Sequence, residues 1–261
     1  DIMELDNIIE SLKEEETEYF ENGDANDYYR YLVSTDFYKS LEKKITDHEE
    51  LSELEWEALL KVYDIDSEFT EKYPYGEYYR TTIYDKEIVL FRTLGRKVLS
   101  SASIQYMIDK FSFNKIVYVG SATAVCDYVD YGDVFIPSSC AEYDITIREF
   151  EPLIKETNII ELDKVNVTMK YFDGLLGTSD KSLVTNRDYL MVRETDMVAS
   201  DTEGAAIAKV CKMNNVKITI LKGISDRPIE NNGYEEQLEV YEENAPKIIK
   251  NVVENYLTEV I

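Results

Sequence analysis

The chain has 261 residues, of which 28 are basic and 53 acidic, and its formal net charge is −25. A surface this acidic repels phosphate backbones and anionic lipid, so nucleic acid and membrane are excluded as expected partners. The hydrophobic fraction of 44% excludes a wholly disordered chain and, at this length, allows one sizeable core.

The sequence contains a single histidine, His48. His-based triads and multi-His metal sites are therefore excluded, and we predict a site with no metal and no cofactor, in which carboxylates, Lys or Tyr move protons. The three cysteines lack metal-ligand spacing, and the N-terminal residues lack the basic start and apolar stretch of a signal peptide. We expect a reduced protein in the cytoplasm.

Residues 1–50 differ from the rest of the chain. They are acidic and rich in Tyr, and their apolar residues recur at helical spacing on both sides of a turn at Asn22-Gly23-Asp24. We predict two helices, too short to form a core alone, that pack on the main domain or on a second subunit. The chain is thus divided into a helical acidic extension, 1–50, and a catalytic domain, 51–261.

From residue 51 onward, strand and helix signals alternate. The apolar periodicity predicts four helices, at 51–63, 98–111, 203–213 and 234–257. A hairpin is predicted at 78–93, with its turn at Asp85-Lys86. Short apolar runs predict strands at 115–120, 133–137, 165–176 and 216–223. This order predicts an α/β fold with a mixed, mostly parallel central sheet flanked by helices, and ligands beyond the carboxyl ends of its strands.

Small or acidic residues follow two of these strands. After the strand at 115–120, the backbone N–H groups of Gly120 and Ser121 are suited to approach an oxygen-rich ligand, although a tight turn uses the same residue types. After the strand at 216–223 comes Asp226, which is either a turn residue or an acid placed to protonate a leaving group.

The segment Ser200–Ala208 has two interpretations. Asp201 or Thr202 can cap a helix whose first turn holds Glu203, as acidic residues often do at helix N-termini. Alternatively, Glu203 points into a cleft, where its carboxylate accepts hydrogen bonds from two vicinal sugar hydroxyls.

The order and spacing of these segments resemble the purine nucleoside phosphorylase and methylthioadenosine/S-adenosylhomocysteine nucleosidase superfamily, over about residues 50–261. The segments that carry the resemblance are Ser200–Cys211, Val216–Asp226, Gly120–Ala122, Tyr131–Pro137 and Gly174–Asp180. The resemblance implies that Asp226 protonates the purine at N7 and that Glu203 binds the ribose hydroxyls.

The resemblance also implies further site residues. The substrate is expected to contact Asp201, Thr202, Gly120 and Ser121, and its base to meet Ser179, Asp180, Ser182 and Leu183. Ser182 departs from the family, which often has a stacking phenylalanine there. Glu55 matches the glutamate that activates water in the hydrolase branch, although the register also allows Glu53 or Glu57.

Two departures bear on the acceptor and the substrate. Tyr118 stands where phosphorylases of the bacterial hexameric branch carry a phosphate-binding arginine, which favours water as the acceptor. Gly95-Arg96-Lys97 replaces the family's Gly-x-Gly turn, and its two cations either meet a substrate phosphate or are surface charges.

We therefore predict a homo-oligomeric hydrolase that cleaves the N-glycosidic bond of an adenosine-type purine nucleoside, such as methylthioadenosine or S-adenosylhomocysteine. The enzyme alternatives are a purine nucleoside phosphorylase and a nucleosidase acting on AMP or ATP. The alternative from another class is a nucleoside-binding module without turnover.

Overall fold

The structure, a computed structural model, describes residues 53–144, 154, 156–183, 186–227 and 234–261. The two helices predicted before residue 51 lie outside these residues, so the helical extension remains a prediction. Residues 51–261 form one compact unit, and the fold below is that of its described part.

The described part opens with a helix and a small sheet. Helix α1 covers 53–62, and an antiparallel sheet follows, of β1 (Glu71–Tyr73), β2 (Gly76–Ile83) and β3 (Lys86–Phe91). The predicted hairpin is confirmed, but its turn lies at Tyr84 and Asp85, one residue earlier than predicted. Both residues have positive φ, 50° and 59°, as a two-residue turn that follows the strand twist requires.

A mixed sheet forms the centre of the unit. In the described part it has seven strands in the order β5-β10-β4-β9-β8-β6-β7. These are β4 (Lys115–Ala124), β5 (Val134–Phe135), β6 (Ser139–Glu142), β7 (Ile160–Glu161), β8 (Leu175–Thr178), β9 (Met197–Asp201) and β10 (Lys217–Asp226). The pairs β4/β10, β8/β9 and β6/β8 are parallel and the other three are antiparallel, and the longest ladder, β4/β10, is a parallel one. The predicted α/β fold with a mixed sheet is confirmed.

Helices cover both faces of this sheet. They are α2 (Lys97–Phe111), α3 (Asn186–Val192), α4 (Gly204–Met213), α5 (Tyr234–Asn255) and α6 (Leu257–Val260). Ile218 and Ile220 of β10 pack in the apolar cluster that contains α2 and α4, whereas Leu221 packs with α5. Successive strand residues point to opposite faces, so a strand covered on both sides becomes buried along almost its whole length. Within the described ranges, no helix is long and apolar enough to cross a membrane.

The strand predicted over 165–176 is wrong. Among the described residues, strand pairing is limited to β7 before it, an isolated bridge at Phe172, and β8 at its end. Side chains near residue 260 bind backbone groups of the intervening segment: Glu259 accepts a hydrogen bond from the Thr168 backbone N–H (2.5 Å), and the Tyr256 hydroxyl donates to the Lys170 carbonyl (2.6 Å). Backbone groups that are hydrogen-bonded by side chains do not need a neighbouring strand.

The contact between β10 and α5 generates a stability prediction. A Cβ added to Gly223 would lie 2.0 Å from Cγ2 of Ile248 and 3.1 Å from Cγ2 of Val252. We expect Gly223→Ala to lower the free energy of unfolding in urea by about 1–3 kcal/mol, because overpacking forces the strand and helix apart. Ile248→Ala removes the clashing group, so the double variant should lose less than the sum of the two single losses; additive losses would contradict this packing.

Candidate active site

Strand β4 contacts three carboxylates that come from three different parts of the chain. The contacts are Tyr118 Oη to Glu203 Oε2 (2.7 Å), Ser121 N to Glu55 Oε1 (3.0 Å) and Thr123 Oγ1 to Asp226 Oδ2 (3.1 Å). The glutamates and the aspartate belong to the start of α4, to α1 and to the end of β10. One strand therefore brings together the three carboxylates that the sequence assigned to catalysis and sugar binding.

Glu55 is held by two donors on one oxygen. Besides the Ser121 N–H group, its Oε1 accepts a hydrogen bond from the Tyr241 hydroxyl at 2.7 Å. The Ser121 hydroxyl lies 3.3 Å from the same tyrosine oxygen. The carboxylate is thus oriented from both β4 and α5, and its Oε2 faces Gly120.

The other two glutamates of α1 point elsewhere. Glu53 is exposed and pairs with Arg92 (3.6 Å), and Glu57 is exposed and pairs with Lys61 (3.6 Å). Of the three positions that the sequence register allowed, the structure brings Glu55 to β4.

A buried ion pair lies next to this row of carboxylates. Lys222 Nζ is 3.0 Å from Asp201 Oδ2, with 1% and 2% of the two side chains exposed. The ammonium group also lies 4.0 Å from the centre of the Tyr118 ring. Asp201 accepts further hydrogen bonds from Thr178 Oγ1 (2.7 Å) and from Gly204 N (3.0 Å), so its carboxylate is bound by protein donors. The N-cap position of α4 is held by Glu203, which was predicted in the first turn.

Gly120 keeps a space open among polar groups. A Cβ at this position would lie 3.0 Å from Lys222 Nζ, 3.4 Å from Glu55 Oε2 and 3.6 Å from Tyr118 Oη. The Lys222 ammonium group, a donor, and the Glu55 carboxylate, an acceptor, therefore both face the space that the absent side chain of Gly120 leaves open. A cavity of about 890 Å³ reaches the same region, and Glu55, Tyr118 and Glu203 form part of its wall.

Glu203 receives donors on both oxygens. Oε1 accepts hydrogen bonds from the Arg96 backbone N–H (3.0 Å) and from the Thr202 hydroxyl, and Oε2 accepts the one from Tyr118. Arg96 has a φ of 71°, uncommon for a residue other than glycine, and this conformation presents its N–H to the carboxylate. The backbone and side-chain donors together fix the plane of the Glu203 carboxylate.

The two tyrosines beside the glutamates remain protonated. Burial, followed by the charges of Glu203 and Asp201, raises the pKa of Tyr118 well above its usual value. Burial and then the charge of Glu55 raise the pKa of Tyr241 in the same way. Both phenols are therefore hydrogen-bond donors at neutral pH.

Asp226 is the last residue of β10, which runs three residues further than the predicted strand, and it is 6% exposed. The Ser225 hydroxyl lies 2.6 Å from its Oδ1, and the Thr123 hydroxyl bridges both of its oxygens. Burial and then the charge of Asp226 raise the pKa of Tyr131.

The residues predicted to meet the base lie in the segment after β8. Ser179 is buried, and its N–H donates to the Asp201 carbonyl (3.1 Å). Asp180 is joined to the site through Arg96, whose guanidinium donates to the Asp180 carbonyl (2.6 Å). Ser182 is half-buried, whereas the Leu183 side chain packs in an apolar cluster.

The cations of the Gly95-Arg96-Lys97 segment are engaged by the protein. Lys97 Nζ lies 2.6 Å from Asp144, 3.5 Å from Glu142 and 3.8 Å from Asp180. Three acidic partners thus balance the charge of Lys97, and the Arg96 guanidinium donates to the Asp180 backbone carbonyl. Among the described residues, no group of three or more His, Cys, Asp or Glu side chains could hold a metal ion.

Sequence reasoning missed the roles of Lys222, Tyr118 and Tyr241 in assembling this site. A signal existed for Lys222, since a lysine inside a run that is otherwise apolar has to be paired when the strand is buried. For Tyr118, the sequence indicated only that no positive charge stands at this position. Tyr241 follows Glu55 by 186 residues, and nothing local to either residue indicates their contact.

Sequence comparisons show which known proteins the chain is similar to. The chain is 24% identical to the 5′-methylthioadenosine/S-adenosylhomocysteine nucleosidase of Buchnera aphidicola subsp. Acyrthosiphon pisum over 190 residues, 66% of this chain and 82% of the relative. It is 28% identical to the nucleosidase of the same name from Shewanella denitrificans over 167 residues, 58% of this chain and 73% of the relative.

Solved structures show the same fold. The 5′-methylthioadenosine/S-adenosylhomocysteine nucleosidase of Helicobacter pylori, with butyl-thio-DADMe-Immucillin-A, superposes with a TM-score of 0.66 at 21% identity, covering 79% of this chain and 93% of that one. Futalosine hydrolase of Helicobacter pylori gives 0.66 at 19% identity with the same coverage, 79% and 93%. The sequence profile of the phosphorylase superfamily matches residues 51–257. Since this match spans well over half of the chain, the protein belongs to the phosphorylase superfamily.

Proposed function

We propose that the protein is a purine nucleosidase, which hydrolyses the N-glycosidic bond of an adenosine-type nucleoside such as methylthioadenosine or S-adenosylhomocysteine. The observation that carries the proposal is the row of carboxylates along β4, in which Glu203, Glu55 and Asp226 are bound by residues 118, 121 and 123. The nucleosidase relatives named above support the substrate class.

Asp226 serves the leaving group in this proposal. Cleavage of the glycosidic bond pushes electrons onto the purine, and a proton delivered to the base makes it a better leaving group. Asp226 lies at the carboxyl end of a strand, where α/β sheets bind ligands. Its contacts with Ser225 and Thr123 orient the carboxyl group toward the site.

Glu203 serves the sugar. Its carboxylate is fixed by Arg96, Thr202 and Tyr118, and a carboxylate has enough lone pairs to accept ribose hydroxyls as well. As the bond to the base breaks, the sugar becomes cation-like, and a nearby anion stabilises that charge more strongly in the transition state than in the ground state.

Glu55 serves the attacking water. Its Oε2 lies near the Lys222 ammonium group over Gly120, so a water molecule bound there would donate a hydrogen bond to the carboxylate and accept one from the lysine. A general base so placed draws the proton from water as its oxygen attacks the anomeric carbon. Lys222 orients the water without supplying a free cation, because Asp201 balances its charge.

We infer further that the enzyme works in the cytoplasm as a homo-oligomer. The cysteines Cys126, Cys140 and Cys211 are free thiols, which is typical of a reducing compartment. Val98 and Leu99, at the start of α2, are exposed neighbours that suit a subunit contact. Sedimentation velocity at several protein concentrations tests the oligomeric state, and a monomer throughout would contradict it.

The test of function is the release of free base from a panel of nucleosides and nucleotides, with and without phosphate. We expect release from methylthioadenosine or S-adenosylhomocysteine at the same rate in phosphate-free buffer, because Tyr118 supplies no charge for phosphate and Lys97 is already paired. Turnover that depends on phosphate would make the protein a phosphorylase. Turnover of AMP or ATP alone would make it a nucleotide nucleosidase, and release from no compound would leave a binding module.

Asp226→Asn should lower kcat for base release by roughly 10²–10⁴-fold, because the amide cannot deliver a proton to the purine. Binding of the nucleoside, measured by calorimetry, should remain detectable. Asp109→Asn, an exposed change on α2, is the matched control and should leave kcat unchanged. Activity of Asp226→Asn within a few-fold of the wild type would refute its role as the acid.

Glu203→Gln should raise KM and lower kcat for ribonucleosides, since an amide loses the charge-assisted hydrogen bonds to the sugar, worth about 1.5–3 kcal/mol. The matching 2′-deoxynucleoside, which has one hydroxyl fewer, should lose less. The control is Glu254→Gln, which removes an exposed charge of α5. Equal losses for the two sugars would contradict a role of Glu203 in binding the sugar hydroxyls and would leave it only a place at the start of α4.

A further inference from the structure

Tyr118 joins the proposed sugar-binding carboxylate to the buried ion pair. Its hydroxyl donates to Glu203 Oε2 at 2.7 Å, and its ring lies over the Lys222 ammonium group at 4.0 Å. Lys222 is in turn fixed by Asp201 at 3.0 Å. Two contacts therefore fix the Tyr118 side chain: Glu203 binds its hydroxyl, and the Lys222 ammonium group lies against the face of its ring.

The hydroxyl of Tyr118 keeps acceptor capacity beside Glu203. A phenol has one proton, which this residue gives to the carboxylate, while the lone pairs on its oxygen can accept hydrogen bonds from other groups. Its raised pKa keeps the proton in place at neutral pH. A substrate hydroxyl that approaches Oε2 thus meets two neighbouring acceptors, the carboxylate and the phenolic oxygen.

We propose that Tyr118 determines specificity for ribonucleosides over 2′-deoxyribonucleosides, by presenting its phenolic oxygen next to Glu203 as a second acceptor for the vicinal hydroxyls. The proposal rests on the proposed function, and it assigns to this tyrosine a role in sugar selection that its lack of charge alone does not suggest. Tyr118 is a substrate-contacting residue in this account, and it also positions Glu203.

The energetic basis of the selection is one hydrogen bond. When a ribose occupies the site, its two hydroxyls pair with the carboxylate and the phenolic oxygen. A 2′-deoxyribose forms one hydrogen bond fewer to this pair of acceptors, while the protein donors of Glu203 stay the same. Sites built to bind a substrate hydroxyl discriminate against the analogue that lacks it.

The experiment compares kcat/KM for methylthioadenosine and its 2′-deoxy form in the wild type and in two tyrosine variants. Tyr118→Phe keeps the ring over Lys222 and removes only the hydroxyl, and it should reduce the preference for the ribose form about tenfold, mainly through KM. The matched control is Tyr241→Phe, which removes a phenolic hydroxyl at the same 2.7 Å distance from a glutamate, but from Glu55. It should lower kcat for both sugars alike and leave the preference unchanged.

Several outcomes would overturn the proposal. A wild-type enzyme that cleaves both sugars equally well refutes it without any variant, as do equal losses for both sugars in Tyr118→Phe. If Tyr118→Phe fails to fold, as judged by circular dichroism and thermal unfolding, a wild type without a ribose preference still refutes the proposal. A wild type that releases base from neither sugar contradicts the proposed function itself, which is a separate failure.

Discussion

The site depends on one ion pair enclosed in the central sheet, between Lys222 of β10 and Asp201 of β9. Only 1% and 2% of these side chains are exposed, and removing one partner of such a pair typically costs about 3–5 kcal/mol because the other charge is left buried. The pair also fixes its surroundings. Lys222 supports the ring of Tyr118 and lies beside Gly120, while Asp201 accepts a hydrogen bond from the N–H of Gly204, the first residue of α4. The ion pair thus contacts both the residues of the proposed site and the start of α4.

The arrangement of charge around this ion pair suits the proposed chemistry. Glu203, Glu55 and Asp226 contact β4 in this order, at residues 118, 121 and 123, so a sugar bound beside the strand would lie among carboxylates. A cation-like sugar is stabilised by preorganised negative charge, whereas an incoming phosphate dianion is repelled by it. The same field therefore favours bond cleavage with water and disfavours phosphorolysis. The two tyrosine hydroxyls orient the glutamates without adding charge.

Local patterns predicted much of the fold and part of the site. The buried strand before Asp226, the helix after Glu203 and the alternation of strands and helices all follow from apolar periodicity and capping residues. The strand predicted over 165–176 was wrong because Glu259 and Tyr256, far along the chain, bind that segment. Short strands such as β6 and β9 were missed because four or five residues carry too little periodicity to stand out. The contacts of Tyr241 with Glu55 and of Lys222 with Asp201 form only when distant segments meet. For Lys222, the one local signal was a charged residue among apolar neighbours, which indicates that it needs a partner.

The most direct test of the central claim is the identity of the attacking group, measured with phosphate labelled with heavy oxygen. The enzyme is incubated with methylthioadenosine and the labelled phosphate, and the sugar product is analysed by mass spectrometry. We expect a free sugar without label, formed at a rate independent of phosphate, because the enclosed lysine is balanced by Asp201 and Glu55 is placed to act as the base for water. A labelled sugar 1-phosphate would contradict it.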